Sequence, residues 1–204
     1  MSAHAIYLAS KSPRRHELLR QLGIDFVELR LREAPGRGRD IVEKARAGES
    51  APNYVKRIAR SKASLGWHWM QKRGLPPRPV LGADTEVVLD GAIFGKPADA
   101  ADALRMLSLL SGRTHQVLTT IALRWEERMI LVASTSVVTL RLLGAGEIER
   151  YIATGEPLDK AGAYAIQGLA AAFIHRIEGT YSGVMGLPLF ETAEALAQIG
   201  FPVL

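Results

Sequence analysis

"YLASKSPRRHELLRQLG", Tyr7 to Gly23, decides the fold class. The apolar run Ile6-Tyr7-Leu8-Ala9 has the length of a buried strand. Directly behind it, Ser12 reads as a helix N-cap and Pro13 as the first helical residue, where a missing N–H costs nothing. Leu18, Leu19 and Leu22 recur at helical spacing, and Gly23 supplies the stop. Between strand and helix, Lys11, Arg14 and Arg15 crowd a helix end whose dipole is already positive. That crowding is unfavourable without an anion, and helix N–H groups with guanidinium forks suit phosphate. The alternative is a capped helix whose arginines point into solvent.

The same alternation of element types runs down the chain. Phe26 to Leu31 alternates as a half-buried strand should. In "SAPNYVKRIARSKASLGW", Tyr54, Val55, Ile58, Ala59 and Ala63 share one helical face. "PPRP" (Pro76 to Pro79) breaks the chain, and "VLGADTEVVLDGAIFGKP" (Val80 to Pro97) gives a strand, an Asp90-Gly91 hairpin turn and a short return strand. A helix from Asp102 to Leu110 stops at Gly112. "HQVLTTIALRW" and "MILVASTSVVTLRLL" predict a long antiparallel pair across Glu126-Glu127-Arg128. A helix over about 146–154, a turn-rich stretch to Gly168, a strand in "LAAAFIHRIEG" and a closing helix in "ETAEALAQIG" complete the order. Helices interspersed with strands, some of them hairpin-linked, predict an α/β fold with a mixed, partly antiparallel sheet and flanking helices. Residues 1–204 read as a single domain without a separable linker, and the order is compatible with two lobes around a cleft.

The composition narrows the function. The chain has 204 residues, 48% hydrophobic and 23% charged, and no cysteine, which removes disulfides and thiolate metal sites. Neither a signal peptide nor an apolar run long enough to span a membrane is read, so a cytoplasmic protein is expected. The net charge of +5 raises nucleic acid, yet six cations against three acids lie between Arg30 and Gly48 around a flexible Pro35–Arg39 loop without interleaved aromatics. This basic insertion, about 32–48, reads as solvated, and no nucleic-acid partner is expected.

Three polar clusters interrupt the apolar pattern: Ser10 to Arg15, "GADT" around Asp84 and Thr85, and "DKAGAYAIQG" with Asp159, Lys160 and Gln167. An aspartate inside an apolar strand costs desolvation energy unless paired or metal-bound. The other reading of Asp84 is a structural acid satisfied by turn amides beside Gly82. Lys96 is either a phosphate ligand or a plain loop lysine, and Lys62 either a site residue or a snorkelling stem. The five histidines lack metal-ligand spacing, and neither a Walker A motif, a dinucleotide fingerprint nor a serine-hydrolase elbow is present. Scattered cations, one or two acids and no nucleophile suit metal-assisted attack of water on a phosphoanhydride.

Five ordered motifs carry a resemblance. "LASKSPRRHELL", "GADTEVVLDGAIFGKP", "MLSLLSGRTHQV", "EPLDKAGAYAIQG" and "SGVMGLPLFET" are similar to those of the Maf family of nucleoside triphosphate pyrophosphatases, over residues 6 to about 196. Arg14, Thr85 and Gln167 resemble its dTTP/UTP branch rather than the branch acting on 7-methyl-GTP. The resemblance implies Asp84 as the base that activates water, helped by a divalent cation, Mg2+ or Mn2+. It implies catalytic Lys62 and Lys96, and Ser10, Ser12, Arg14, Arg15, Thr85 and Gln167 around the substrate. Glu43 is the metal-side carboxylate it implies, with Glu33 as rival, since the segment from Leu31 to Glu49 is longer than the family usually has. It also implies a fold similar to the inosine-triphosphate pyrophosphatases, two lobes around a cleft, and a homodimer. The competing functions are the same chemistry on 7-methyl-GTP or other modified nucleotides, and a non-catalytic regulator of cell division.

Overall fold

The computed structural model describes residues 5–31, 41–201 and 203. One mixed sheet of seven strands organises them. Strand β1 (Ala5–Leu8) lies parallel to β2 (Asp25–Glu28) on one side and to β3 (Val80–Leu89) on the other. Antiparallel pairing then takes over. β3 pairs with β5 (Thr114–Trp125), β5 with β6 (Arg128–Leu140), and β6 with β7 (Ile174–Glu178), while the short β4 (Ala92–Phe94) folds back on β3. Asp90 and Gly91, both at positive φ, make the β3–β4 hairpin turn that the Asp-Gly pair predicts.

Helices cover both faces. α1 (Pro13–Gln21) connects β1 to β2 and buries Leu18 and Leu19 against Ile6, Leu8 and Leu81. α2 (Ala51–Lys72) lies on the opposite face, where Tyr54, Ile58, Ala59 and Ala63 meet Val88, Leu118 and Ala122. α3 (Ala100–Leu110) and α4 (Ala145–Ala153) pack with Val87, Val117 and Val138. Asp99 caps α3 by accepting from the Asp102 amide. α5 (Tyr181–Met185) and α6 (Leu189–Ala197) close the structure, with Leu196 under Ile121 and Leu123.

Three elements depart from the sequence reading. β2 begins and ends earlier than Phe26–Leu31. The strand expected over "LAAAFIHRIEG" is half 3-10 helix, Leu169–Phe173, and only Ile174–Glu178 pairs in the sheet. An alanine run has little to hold it in a pleat, and Arg141 and Glu156 draw its backbone into turns instead. Ser12 stands at the N-cap of α1, but its hydroxyl makes no capping bond; its amide donates instead to the Ser10 hydroxyl at 3.2 Å.

The feature that positions the site is an interruption in the sheet. On the β5 side, β3 is paired continuously from Val80 to Val88. On its other edge, β1 reaches only Leu81 and β4 begins only at Val87. Residues 82–86 therefore face the gap. The Ala9 amide donates to the Leu81 carbonyl across that edge, so by strand alternation the peptide groups of Ala83 and Thr85 point into the opening.

Candidate active site

The interrupted edge opens into a cleft of about 540 Å³. Ser10 to Arg15 leave β1 on one wall, Gly95 and Lys96 leave β4 on the other, and the 159–167 loop forms a third. Ser12, Arg14, Arg15, Glu43, Lys62, Asp84, Thr85, Lys96 and Gln167 all line it, with Ser10 in its extension. The structure thus brings every proposed site residue it describes to one place. Glu33 lies outside the described residues.

The two faces of β3 do different work. Asp84 and Glu86 point towards α2. Lys62 Nζ reaches Asp84 Oδ1 at 2.8 Å and Glu43 Oε1 at 3.1 Å. The contact depends on Gly82: a Cβ there would lie 2.6 Å from the Ala63 nitrogen and 2.8 Å from the Ala59 oxygen, so only glycine lets α2 come this close. Asp84 is buried, and its second oxygen, Oδ2, has no hydrogen-bond partner. Burial pushes the Asp84 carboxyl above the usual range, opposed by Lys62 and Arg15. Glu86, which the sequence reading passed over, has a buried and unpartnered Oε2. Burial, then the Asp84 charge, pushes its carboxyl up to about 8. Its signal was present in the sequence: a second acid two residues after Asp84 shares its face.

The opposite face holds Thr85. Arg15 Nη2 donates to the Thr85 hydroxyl at 3.1 Å, Nη1 to the Ser10 hydroxyl at 3.1 Å and Nε to the Gly186 carbonyl at 2.8 Å. The hydroxyls of Thr85 and Thr119 stand 2.9 Å apart, and Thr119 also reaches the Gly183 carbonyl at 2.8 Å. A hydroxyl carries one proton. Thr119 is the donor to both, so its single proton is shared between the Gly183 carbonyl and the Thr85 hydroxyl. Arg15 is 9% exposed, and burial lowers its pKa. Three of its five N–H groups are engaged, so it is a tie between α1, β3 and the Met185-Gly186 turn as well as a cation at the cleft. Arg14, by contrast, is half-buried on the cleft, with Asp159 as its electrostatic counterpart.

A mixed α/β sheet whose open edge gathers Arg14, Arg15, Lys62, Lys96 and Lys160 around a buried carboxylate is built for a polyanionic small molecule. The comparisons give the family. The model described as "Maf-like protein" matches residues 5–199, so this chain belongs to the Maf-like family. The chain is 52% identical to the dTTP/UTP pyrophosphatase of Chromobacterium violaceum, covering 96% of this chain and 95% of that protein. It is 53% identical to the dTTP/UTP pyrophosphatase of Aromatoleum aromaticum, over 97% of each chain. With the protein of the same name from Nitrosospira multiformis the identity is 55%, over 95% and 93%.

Proposed function

We propose that this protein is a dTTP/UTP pyrophosphatase, hydrolysing these triphosphates to the nucleoside monophosphate and pyrophosphate. The observation that carries the reading is Asp84: a buried carboxylate, held through one oxygen by Lys62 at 2.8 Å and free at the other, on a cationic cleft. Relatives more than 50% identical over nearly the whole chain bear the same activity in their names.

The chemistry follows from these positions. Lys62 fixes the Asp84 plane, so Oδ2 is the oxygen left to take a proton from water. That water attacks the α-phosphorus; the new P–O bond forms as the α–β bridging bond breaks, and pyrophosphate leaves with the electron pair. Arg14 and Lys96 offset the charge on the triphosphate and its leaving group. Arg15 holds the wall from which Arg14 projects.

A divalent cation belongs to this reading. Among the described residues no three acidic or histidine side chains already stand together as a ligating set. The donor chemistry nonetheless fits Mg2+ or Mn2+, which take carboxylate oxygens: the carboxylates of Glu43 and Asp84, side by side at Lys62, would hold it, with Oδ2 kept as the base. Bound there, it would supply charge neutralisation and a more acidic water. No described helix is long and apolar enough to cross a membrane, and a cytoplasmic homodimer completes the proposal.

The test is a panel of triphosphates with pyrophosphate release as readout. Gln167 is exposed on the cleft, and its amide can both donate and accept. It therefore matches the N3–H and adjacent carbonyl of uracil or thymine and mismatches cytosine, which reverses that edge. UTP and dTTP are expected ahead of CTP, GTP and 7-methyl-GTP. A highest kcat/KM for CTP or 7-methyl-GTP would remove the base assignment, and no release from any of them would remove the enzyme.

A further inference from the structure

Of the two proposed site carboxylates, Asp84 lies on β3, whereas Glu43 is held by neither helix nor strand. It precedes α2 in an exposed segment and its side chain is 53% exposed, yet its carboxylate meets Lys62 at 3.1 Å, beside Asp84. Something must hold the segment there. The hydrogen bonds show what does. Arg57, on α2 five residues before Lys62, forks onto Glu49: Nε to Oε1 at 2.6 Å and Nη2 to Oε2 at 2.7 Å. Nη2 also donates to the carbonyl of Lys44, the residue after Glu43, at 3.0 Å. The Arg46 amide donates to the same Glu49 carboxylate at 3.0 Å, and the Glu49 amide returns a bond to the Arg46 carbonyl at 3.0 Å.

We propose that Arg57 is a positioning residue for the hydrolysis, clipping the 44–49 segment onto α2 so that Glu43 is presented to Lys62 and Asp84.

The geometry suits the task. A long side chain on a helix leans towards the helix N-terminus, which carries the Arg57 guanidinium back over the chain that enters α2. There it lies over the ring of Tyr54, 5.4 Å from the centroid, and Tyr54 itself lines the cleft. Stacking on a buried ring fixes the plane of the fork, and a planar fork fixes both carboxylate oxygens and the carbonyl together. The fork is also partly shielded, with Arg57 and Glu49 side chains 21% and 11% exposed. The Arg57 fork, followed by the Arg46 amide, holds the Glu49 carboxyl down to about 2, so the clip stays charged through the neutral range. Lys62 and Arg57 share one rigid helix, so Glu43 is set against Lys62 by an element that also carries the clip.

The proposal rests on the functional reading above, in which Glu43 belongs to the reacting site. Its test is a cycle of variants in the full chain, with UTP turnover and amide hydrogen exchange as readouts. Arg57→Gln is expected to lower kcat by up to about 10²-fold, the scale of a group misplaced by about 1 Å, with KM changed less. Glu49→Gln should do the same, and Arg57→Lys should recover part of the loss, since an ammonium cannot span both oxygens and the carbonyl. The decisive variant is Arg57→Gln with Glu43→Gln: if Arg57 acts through Glu43, the pair is no slower than Glu43→Gln alone. Exchange over 41–50 should quicken in Arg57→Gln and stay unchanged in Glu43→Gln. Independent, multiplying losses in the double variant would overturn the proposal, as would an Arg57→Gln enzyme with loosened 41–50 and full turnover. A Glu43→Gln enzyme of full activity would overturn it by removing Glu43 from the site, with UTP hydrolysis itself left standing.

Discussion

At the level of single side chains, neighbouring residues in one motif have separated roles. Arg14 and Arg15 look equivalent in sequence, but one lies half-buried along the cleft and the other is buried with three protein acceptors. Arg15→Ala leaves the Gly186 carbonyl and the Thr85 and Ser10 hydroxyls short of a donor. We expect a loss of about 2–3 kcal/mol of stability in denaturant unfolding, at the upper end for an orphaned buried group. Arg14→Ala should unfold at the wild-type midpoint while raising KM for UTP. Equal midpoints for the two variants would show that the Arg15 bonds contribute nothing. At Asp84, replacement by Asn keeps the shape and an oxygen for Lys62 but removes the base. The expected drop in kcat is about 10²–10⁴, read in steady-state turnover of a variant whose unfolding is unchanged. The polar clusters were legible from their chemistry, a carboxylate in an apolar strand and cations at a positive helix end, whereas their gathering into one site, with Glu43, was implied by the family resemblance. Their division of labour was not legible, because it depends on what Gly186, Thr119 and Glu49 offer from far along the chain.

Among the elements, the contact of α2 with β3 is the one on which the site turns. Gly82 reads as an ordinary strand glycine, yet its missing Cβ sets the distance between Lys62 and Asp84. Gly82→Ala would press a methyl into helix backbone, which cannot rotate away as a side chain can. A cost of about 1–3 kcal/mol is expected, as for other overpacked sites, together with a fall in kcat as Lys62 moves off. Thermal unfolding and turnover check both halves; a variant that loses stability and keeps its rate would separate the packing from the chemistry. Strong periodicity made most elements readable: α2, α3, the β3–β4 hairpin and the β5–β6 pair all follow their patterns. The short α5 and the 3-10 run Leu169–Phe173 did not show, because turns of three to five residues are held by tertiary partners, such as Glu156 for Leu169 and Ala170, rather than by local periodicity.

Across the whole molecule, stability and pH are linked through a histidine remote from the reacting carboxylates. His115 on β5 is 2% exposed, its Nε2 lies 2.8 Å from the Tyr164 hydroxyl, and burial holds its pKa down to about 4 against 6.5. Between those values the unfolded chain binds a proton that the folded one refuses. Stability therefore falls as pH drops from 6.5 to 4, by up to about 3 kcal/mol from this group. His115→Phe should flatten that limb of the profile, and the difference between the two profiles, measured by urea unfolding at pH 7 and 4.5, isolates the effect. Parallel profiles would exclude it. The interrupted sheet edge has a consequence of another kind. Unpaired peptide groups on a strand invite a strand from another molecule, the first step of polymerisation. Here the unpaired stretch is residues 82–86, roughly 17 Å at about 3.3 Å per residue, with β1 stopping any intruder at one end and β4 at the other. The charge of Asp84 sits at its midpoint. The opening is wide enough for a nucleotide and too short and too charged to template a fibril, so an unpaired sheet edge is kept here without becoming a site of polymerisation.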